Sequence, residues 1–277
     1  MDNLKAKKRH PEEIAVYTAI YVCAAFSVLL LLGIIIYVFA KGARRVNWAF
    51  LTGVTSILHG TVGIAGNILN TLIIILLTMI ITTPIGVGAA IYLNEYAKPG
   101  KLVTVIIFAT ETLAGIPSII FGLFGMLFFG QLCHMGYSLL TGSLTLTLMV
   151  LPLVTRNTQE ALKTVPDSFR TGAVGLGAGK WYTIRTILLP SAMPGIVTGV
   201  ILAIGRIIGE SAALLFTAGS AHLLPKTFNA FLEKIFHSGG TLTIQLYLSA
   251  SKGEFEVAFG IAVVLLVILL LINFGTN

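Results

Sequence analysis

Two charged residues interrupt an apolar run that otherwise has the composition of a membrane-spanning helix. They are Arg206 and Glu210, within residues 203–219, AIGRIIGESAALLFTAG. A guanidinium group presents a planar fork of donors that suits phosphate and other oxyanions. The two residues are four positions apart, so one face of a helix would carry both and they could pair. We expect Arg206 to contact an oxyanion, Glu210 to orient it and balance its charge, and Thr217 to add a hydroxyl near that face.

Glu111 is a further charged residue in an apolar run, and an intramembrane carboxylate is a candidate functional group. The alternative is a carboxylate that is satisfied at a helix bend by Thr110, Thr112 or another neighbour. For Arg206 and Glu210, the alternative is a salt bridge that only fixes the rotation of the helix. A buried ion pair is weak evidence for stability, so this alternative explains poorly why two charges occur here.

The composition of the chain indicates that a lipid bilayer surrounds these charges. Apolar residues make up 56% of the 277 residues, charged residues make up 10%, and the mean hydropathy is +0.94. A helix needs about 20 apolar residues to cross the hydrocarbon core. Six such runs predict an all-α, polytopic membrane protein with six transmembrane helices, at about residues 14–40, 68–93, 102–129, 139–154, 195–218 and 257–274. Pro117 should kink the third helix, and Gly122 and Gly125 should permit close packing of its neighbours.

The basic residues indicate the orientation of the chain. Segments that would share a side with the N-terminus hold more Lys and Arg than the segments on the other side. This excess predicts a cytoplasmic N-terminus. The same flanks account for the net charge of +7, and no aromatic-interleaved basic patch indicates nucleic-acid binding. Cys23 and Cys133 lie in separate apolar runs, without the spacing of a metal or redox site.

The predicted helices divide the chain at about residue 66. Residues 1–66 hold the N-terminal basic segment, the first helix and an external loop, and residues 67–277 hold the other five helices. Two long connections interrupt this second part, a cytoplasmic loop at about 158–190 and an external segment at about 219–256. In the external segment, apolar residues recur at helical spacing in KTFNAFLEKIFHSGG. We expect an interfacial helix there, and a helix packed on protein is the alternative.

The cytoplasmic loop is neither apolar enough to span a membrane nor polar enough to be disordered. Pro166 followed by Asp167 suits the first turn of a helix, and Gly175, Gly177 and Gly179 should end that helix. The stretch GLGAGKW contains Gly-Lys, as a phosphate loop does. It lacks the first glycine and the hydroxyl residue that such a loop requires. We therefore expect no ATP binding and no cofactor in this chain.

The same loop resembles the coupling loop of ABC importer permeases, whose pattern is E-A-A, three residues, G, nine residues, I-x-L-P. Thr171-Gly172-Ala173 stands at the first position, Gly177 is the glycine, and Ile187-Leu188-Leu189-Pro190 closes the pattern. Thr171 and Gly172 depart from the pattern, so no role of its glutamate is carried over. Four further blocks resemble the PstA-type subunit of the phosphate importer: LNEYAKPGK, LAGIPSIIFGLFG, LPLVTRNTQEALKTVP and GRIIGESAALLFTAG.

The resemblance implies a type I ABC importer permease (MetI-like) fold without catalysis of its own, in a prokaryotic plasma (inner) membrane. It implies a pore shared with a PstC-like permease subunit, and a dimer of PstB-like ATPases that holds ATP and magnesium on the cytoplasmic face. An external phosphate-binding protein would deliver inorganic phosphate. Residues of the loop would dock on the ATPase, and packing against the same chain is the alternative. They are Phe169, Ala173, Val174, Leu176 and Gly177, the last of which would permit a sharp turn.

Two other functions fit part of the pattern. A permease for another oxyanion, sulfate or molybdate, would share the loop and Arg206. An ion-driven secondary transporter would use Glu111 and Glu210 as a proton relay, but the coupling loop argues against it. A membrane enzyme is the least supported class, because the sequence shows no Ser/His/Asp set, His metal cluster or paired acids at a working spacing.

Overall fold

The computed structural model describes residues 11–56, 61–98, 100–225 and 227–275. These residues are mostly helical, with one small antiparallel hairpin of β1 (Val54–Ser56) and β2 (Thr61–Ile64). The helices are α1 (Pro11–Gly42), α2 (Trp48–Thr52), α3 (Ala65–Ile91), α4 (Lys101–Gly115), α5 (Ser118–Gly125), α6 (Leu139–Lys163), α7 (Asp167–Gly175), α8 (Lys180–Thr183), α9 (Leu189–Gly209), α10 (Ala212–Thr217), α11 (Phe228–Glu233), α12 (Leu242–Ser251) and α13 (Phe255–Phe274). Three segments are π-helical, Tyr92–Tyr96 after α3, Met126–Leu132 after α5 and Ile184–Leu188 between α8 and α9, and short 3₁₀ turns cover Ala43–Arg45 and Lys234–Phe236.

Most of the predicted membrane helices are continuous. In the described part of the chain, the helices long and apolar enough to cross a membrane are Ala15–Arg45, Ala65–Tyr96, Leu139–Lys163, Lys180–Gly209 and Phe255–Phe274. The pair Lys101–Gly115 and Ser118–Leu132 passes the same test together but bends by 102° at its break. Counted as one broken span, this pair makes six and confirms the predicted all-α membrane fold. Each predicted run overlaps one span, although the fifth span ends earlier than predicted.

The bend in the third span has a local cause. Pro117 has no amide hydrogen to donate, and its ring disfavours a helical backbone at the preceding residue. Ile116 is accordingly extended, with φ −74° and ψ 132°, and Pro117 follows with φ −58° and ψ 140°. The kink predicted at this proline is therefore a full break between α4 and α5.

α6 forms the centre of the helix bundle. It packs against α3, α5, α9 and α10, and its residues Leu146 and Met149 are buried in the core. The backbones of α5 and α6 come close together at Gly125. A Cβ atom added there would collide with the Thr145 side chain of α6. Small residues at such contacts favour helix association within a membrane. The Thr145 hydroxyl donates to Thr141 O at 2.8 Å, so this buried polar group is satisfied inside its own helix.

α1 has fewer contacts with the rest of the chain. It packs on α13, where the Tyr37 and Phe259 rings meet edge to face at 5.7 Å between centroids and Gly42 approaches the Phe259 backbone. Large apolar side chains along α1, such as Tyr21 and Leu29, are exposed. A helix that is apolar on every face belongs in lipid or against another membrane helix.

The segment between α10 and α13 folds against the bundle. Asn70 Nδ2 of α3 donates to the carbonyls of Ala221 and Gly240, each at 3.0 Å. Phe231 of α11 and Ile235 just after it pack against the core. The helix predicted in this segment is present, and its apolar residues divide, because Phe231 and Ile235 pack on protein whereas Leu232 and Phe236 are exposed.

Candidate functional site

A cavity of about 150 Å³ lies where α4, α6 and α9 meet. Three charged side chains line it, Glu111 from α4, Arg156 from α6 and Arg206 from α9. Thr110, Ala114, Met149, Pro152 and Leu153 complete the lining. The structure thus brings together two of the residues predicted for a substrate pathway, Arg206 and Glu111, and adds a second arginine.

The cavity lies beside two interruptions of the membrane helices. Glu111 is in the last two turns of α4, before the break at Pro117, and Arg206 is in the last turn of α9. The helices that follow these breaks, α5 and α10, pack against each other. Discontinuous helices are typical of substrate sites in many transporters, because irregular backbone is tolerated in a membrane where it lines a cavity.

Arg156 is the site residue that the sequence analysis missed. The predicted fourth helix ends at residue 154, which leaves Arg156 in the cytoplasmic flank. α6 continues to Lys163, so Arg156 shares a helical face with Met149, Pro152 and Leu153. Arg156 could have been found from its position seven residues after Met149, because the helical spacing i, i+3, i+4 and i+7 continues past the end of the apolar run.

The predicted pairing of Arg206 with Glu210 is wrong, because the helix ends between them. α9 ends at Gly209, and Glu210 is extended with φ −81° and ψ 122°. Glu210 Oε1 accepts a hydrogen bond from Ala213 N at 3.0 Å, and Glu210 O accepts one from Thr243 Oγ1 at 2.9 Å. The Glu210 carboxylate therefore caps α10 and does not orient Arg206.

Thr217 lies apart from the other predicted pathway residues. Its side chain is buried, and its hydroxyl donates to Ala213 O at 2.8 Å. Its own carbonyl accepts a hydrogen bond from Ser138 N at 3.1 Å, next to the first residue of α6. Arg156 is near the other end of that helix. The structure therefore does not bring the Thr217 hydroxyl to the cavity.

The hydroxyls beside Glu111 do not satisfy its carboxylate. Thr110 Oγ1 donates to Ile106 O and Thr112 Oγ1 donates to Phe108 O, each at 2.8 Å. Both hydroxyls thus serve the preceding turn of α4. This finding removes the alternative in which Thr110 or Thr112 accounts for the carboxylate at the helix bend.

The charges of the cavity have no ion-pair partner within the described ranges of the chain. Among the residues that the structure describes, no ion pair within 4.0 Å involves Arg156, Arg206 or Glu111. Two guanidinium groups and one carboxylate give the lining a formal charge of +1. All three charged residues are exposed in the chain alone. Where lipid or a partner subunit covers the cavity, the lower dielectric constant makes such cations attract an anion far more strongly than they would in water. The arrangement can therefore bind a small oxyanion, with Glu111 as an internal competitor for the arginines.

A larger cavity, of about 440 Å³, lies between α2 and the β1–β2 hairpin. Arg45 is the charged residue of its lining, and the Arg45 guanidinium carbon lies 5.8 Å from the centroid of the Phe50 ring. This cavity has no acidic residue and borders no break in a membrane helix. The smaller cavity is therefore the one that combines both signs of charge with breaks in the membrane helices.

The loop between α6 and α9 contains the short helix that the sequence predicts. α7 covers Asp167–Gly175, and the glycines end it as expected. Gly177 has φ +82°, and Gly177 N and Ala178 N donate to Val174 O at 2.9 Å and to Ala173 O at 3.0 Å. This is the Schellman arrangement, in which a left-handed glycine closes a helix.

Some of the residues predicted to dock on an ATPase are exposed to solvent, and others are buried or form the turn. Phe169, Val174 and Leu176 are 48%, 66% and 91% exposed, so the alternative of packing against the same chain does not apply to them. Ala173 is only 5% exposed and cannot present a side chain to a partner. The docking role predicted for Ala173 is therefore wrong, because this residue packs within its own chain. Gly177 contributes by forming the turn that ends α7.

Replacing Gly177 with alanine should loosen the end of α7. Its φ of +82° costs an L-residue about 1 kcal/mol, and no heavy atom lies within 4 Å of an added Cβ, so the effect comes from the backbone. We expect cleavage within residues 171–180 in limited proteolysis to become about fivefold faster. Gly179→Ala is the matched control, because Gly179 has φ −67° and equally open surroundings. Equal cleavage rates for the two variants would contradict the argument.

The sequence of residues 82–277 matches the family described as binding-protein-dependent transport system inner membrane component. The chain belongs to this family. It is 37% identical over 246 residues to the "Probable ABC transporter permease protein YqgI" of Bacillus subtilis, with 87% of this chain and 84% of that protein covered. It is 33% identical over 261 residues to the "Phosphate transport system permease protein PstA 2" of Mycobacterium bovis, with 93% and 84% covered.

A solved structure shows the same fold. One chain of a bacterial alginate ABC transporter, in complex with alginate pentasaccharide-bound periplasmic protein, aligns with a TM-score of 0.71 at 15% identity, over 96% of this permease and 93% of that chain. The predicted ABC importer permease fold and the resemblance to PstA-type permeases are both confirmed. The chain is a multi-pass membrane transport subunit and not an enzyme. Its family implies a partner permease, an ATPase and a substrate-binding protein.

Proposed function

We propose that this permease is the transmembrane subunit of an ATP-driven importer of inorganic phosphate. It supplies half of the translocation pathway, a homologous PstC-like subunit supplies the other half, and the N-terminus is cytoplasmic. The observation that carries the proposal is the cavity in which Arg156, Arg206 and Glu111 meet at the breaks of two membrane helices. Relatives whose names specify phosphate transport support the choice of anion.

The two arginines bind the anion, and the carboxylate limits how tightly it is held. Arginine stays protonated in proteins and presents five donors in a fixed fork. Arg156 of α6 and Arg206 of α9 can therefore both donate hydrogen bonds to the oxygens of one phosphate. Glu111 offers those arginines an internal counter-charge, so the anion competes with it and is not trapped. Glu111 thus takes the charge-balancing role first expected of Glu210.

Monohydrogen phosphate also differs chemically from the other candidate anions. It retains a hydroxyl that can donate to the Glu111 carboxylate, whereas sulfate and molybdate at neutral pH have no such proton. A carboxylate that faces an acceptor-only anion is repelled and left without a partner. The presence of Glu111 in the lining therefore favours phosphate over sulfate or molybdate.

Energy enters through α7. Phe169, Val174 and Leu176 are exposed apolar side chains on α7 and at its end, which the PstB-like ATPase dimer would cover. That dimer holds the ATP and magnesium. α7 is joined in sequence to α6 and α9, so closing of the ATPases tilts the two helices that carry Arg156 and Arg206.

Uptake into proteoliposomes tests the proposal. The complete complex would be reconstituted with ATP added on the side of the membrane that carries the ATPase, and the phosphate-binding protein added on the opposite side. We expect labelled phosphate uptake to require ATP, to survive collapse of the proton gradient and to resist competition by excess sulfate or molybdate. Uptake that disappears with the gradient would support the ion-driven secondary transporter. Strong competition by sulfate or molybdate would support a permease for that anion.

A further inference from the structure

One arginine in the loop between α6 and α9 joins three parts of the permease. Arg170 of α7 donates to Glu95 Oε1 from Nη2 at 2.9 Å and from Nε at 3.3 Å. It also donates from Nη1 to Val165 O at 3.0 Å and from Nη2 to Leu162 O at 3.1 Å, at the end of α6. Within α7, Arg170 Nη1 donates to Asp167 Oδ1 at 3.0 Å. A single guanidinium group therefore connects α7, the end of α6 and the segment that follows α3.

The contact between Glu95 and Arg170 is shielded from water. Their side chains are 9% and 23% exposed, whereas those of the Glu160–Lys163 ion pair nearby in sequence are 62% and 58% exposed. Ion pairs on an open surface contribute little to stability. Forked hydrogen bonds between charged groups with restricted access to water are stronger and fix a geometry. The hydrogen bond to Glu95 raises the pKa of Arg170 despite its partial burial.

Helical irregularities lie next to this contact. Glu95 is in the π-helical segment Tyr92–Tyr96, and α8 passes through another, Ile184–Leu188, before α9 begins. Lys180 at the start of α8 makes a second tie, with its ammonium group 4.8 Å from the centroid of the Tyr96 ring. π-helical segments are sites where a helix can change direction. The loop is thus held firmly to helix ends that can reorient.

We propose that Glu95 and Arg170 are positioning residues that transmit the movement of α7 to α3. The proposal rests on the coupling role proposed for α7 above. The loop is covalently joined to α6 and α9, so it moves those helices directly, and the Glu95–Arg170 contact links it to the segment that follows α3. α3 packs along α6 and α9, the helices that carry the two arginines of the cavity. Without the contact, helix packing and the Lys180–Tyr96 contact carry the movement to α3 less completely, and the pathway opens incompletely.

Glu95→Gln in the complete, reconstituted complex tests this role, because it removes the charge and keeps the shape. We expect ATP hydrolysis to stay near the wild-type rate. The amount of phosphate transported per ATP hydrolysed should fall about tenfold, because loss of one charge-assisted hydrogen bond weakens the contact by a free energy equivalent to about that factor. The KM for phosphate should not change, since Glu95 does not line the cavity. Arg170→Lys keeps the charge but not the fork and should give the same result. Glu160→Gln is the matched control, and we expect wild-type coupling from it.

Hydrogen exchange provides a readout that does not depend on the transported anion. When ATP is added to the wild-type complex, we expect exchange to change in residues 92–98 and 167–180 together. In Glu95→Gln, the response of residues 92–98 should be much smaller, while that of residues 167–180 persists. An undiminished response of residues 92–98 in the variant, or normal transport per ATP, would overturn the proposal. A wild-type complex that hydrolyses ATP without moving phosphate would count against the proposed function, and the exchange result would still decide the role of the contact.

Discussion

Arg206→Gln abolishes phosphate uptake and leaves the complex assembled; this is the largest effect that we expect. The substitution removes one of two guanidinium groups and lowers the formal charge of the cavity lining from +1 to zero. Where lipid and the partner subunit cover the cavity around a bound anion, loss of one charged partner weakens binding by several kcal/mol, so uptake should fall by about 100-fold or more. The measurement is the initial rate of labelled phosphate uptake in proteoliposomes, with co-purification of the other subunits to verify assembly.

Arg44→Gln is the matched control for that experiment. Arg44 is exposed in the 3₁₀ turn after α1 and does not line the cavity, so the same change of charge should leave uptake unaffected. Arg156→Gln should reproduce the loss seen with Arg206→Gln, because both arginines face the same cavity. Normal uptake by Arg206→Gln in an assembled complex would refute the role given to this residue.

Leu176→Asp should disconnect the permease from its ATPase. Leu176 is 91% exposed in the chain alone, and burial of a leucine side chain contributes about 1.5–3 kcal/mol. The variant loses this contribution and would place an unpaired carboxylate in an apolar groove. We therefore expect ATPase affinity to fall by about 100-fold, measured by binding of the purified ATPase to detergent-solubilised permease.

A second leucine separates loss of docking from loss of folding. Leu223 is also highly exposed, at 71%, but lies in the segment between α10 and α11, so Leu223→Asp should bind the ATPase normally. The wild-type permease should show slower proteolysis of residues 167–180 when the ATPase is present, and Leu176→Asp should not. Normal ATPase binding by Leu176→Asp would mean that this face of α7 is not the docking surface.

The features that the sequence predicted correctly have local causes. Apolar runs long enough for a bilayer produce the membrane helices, because no other structure satisfies the backbone there as well. The interruption at Pro117 follows from one missing donor and one ring, and the end of α7 follows from a glycine that can take a positive φ. Each of these can be inferred within a few residues of sequence.

The features that were missed depend on tertiary structure. The break at Glu210 involves no proline, and its hydrogen bonds come from Ala213 in the next helix and from Thr243, 33 residues away. Arg156 was assigned to a flank because hydropathy marks where apolar residues end, whereas α6 continues beyond that point. Ala173 is buried by the way in which the loop folds back on its own chain, which spacing alone does not reveal.

The most direct test of the central claim, that the transported anion passes through the cavity between α4, α6 and α9, is the modification rate of a cysteine placed in it. Ala114 lines the cavity, and the two native cysteines, Cys23 and Cys133, are exposed, so Ala114→Cys would be made with both replaced by serine. In the assembled complex during ATP turnover, an anionic thiol reagent should modify this cysteine, and phosphate should slow the reaction. An identical rate with and without phosphate, in a complex that transports phosphate, would contradict the account.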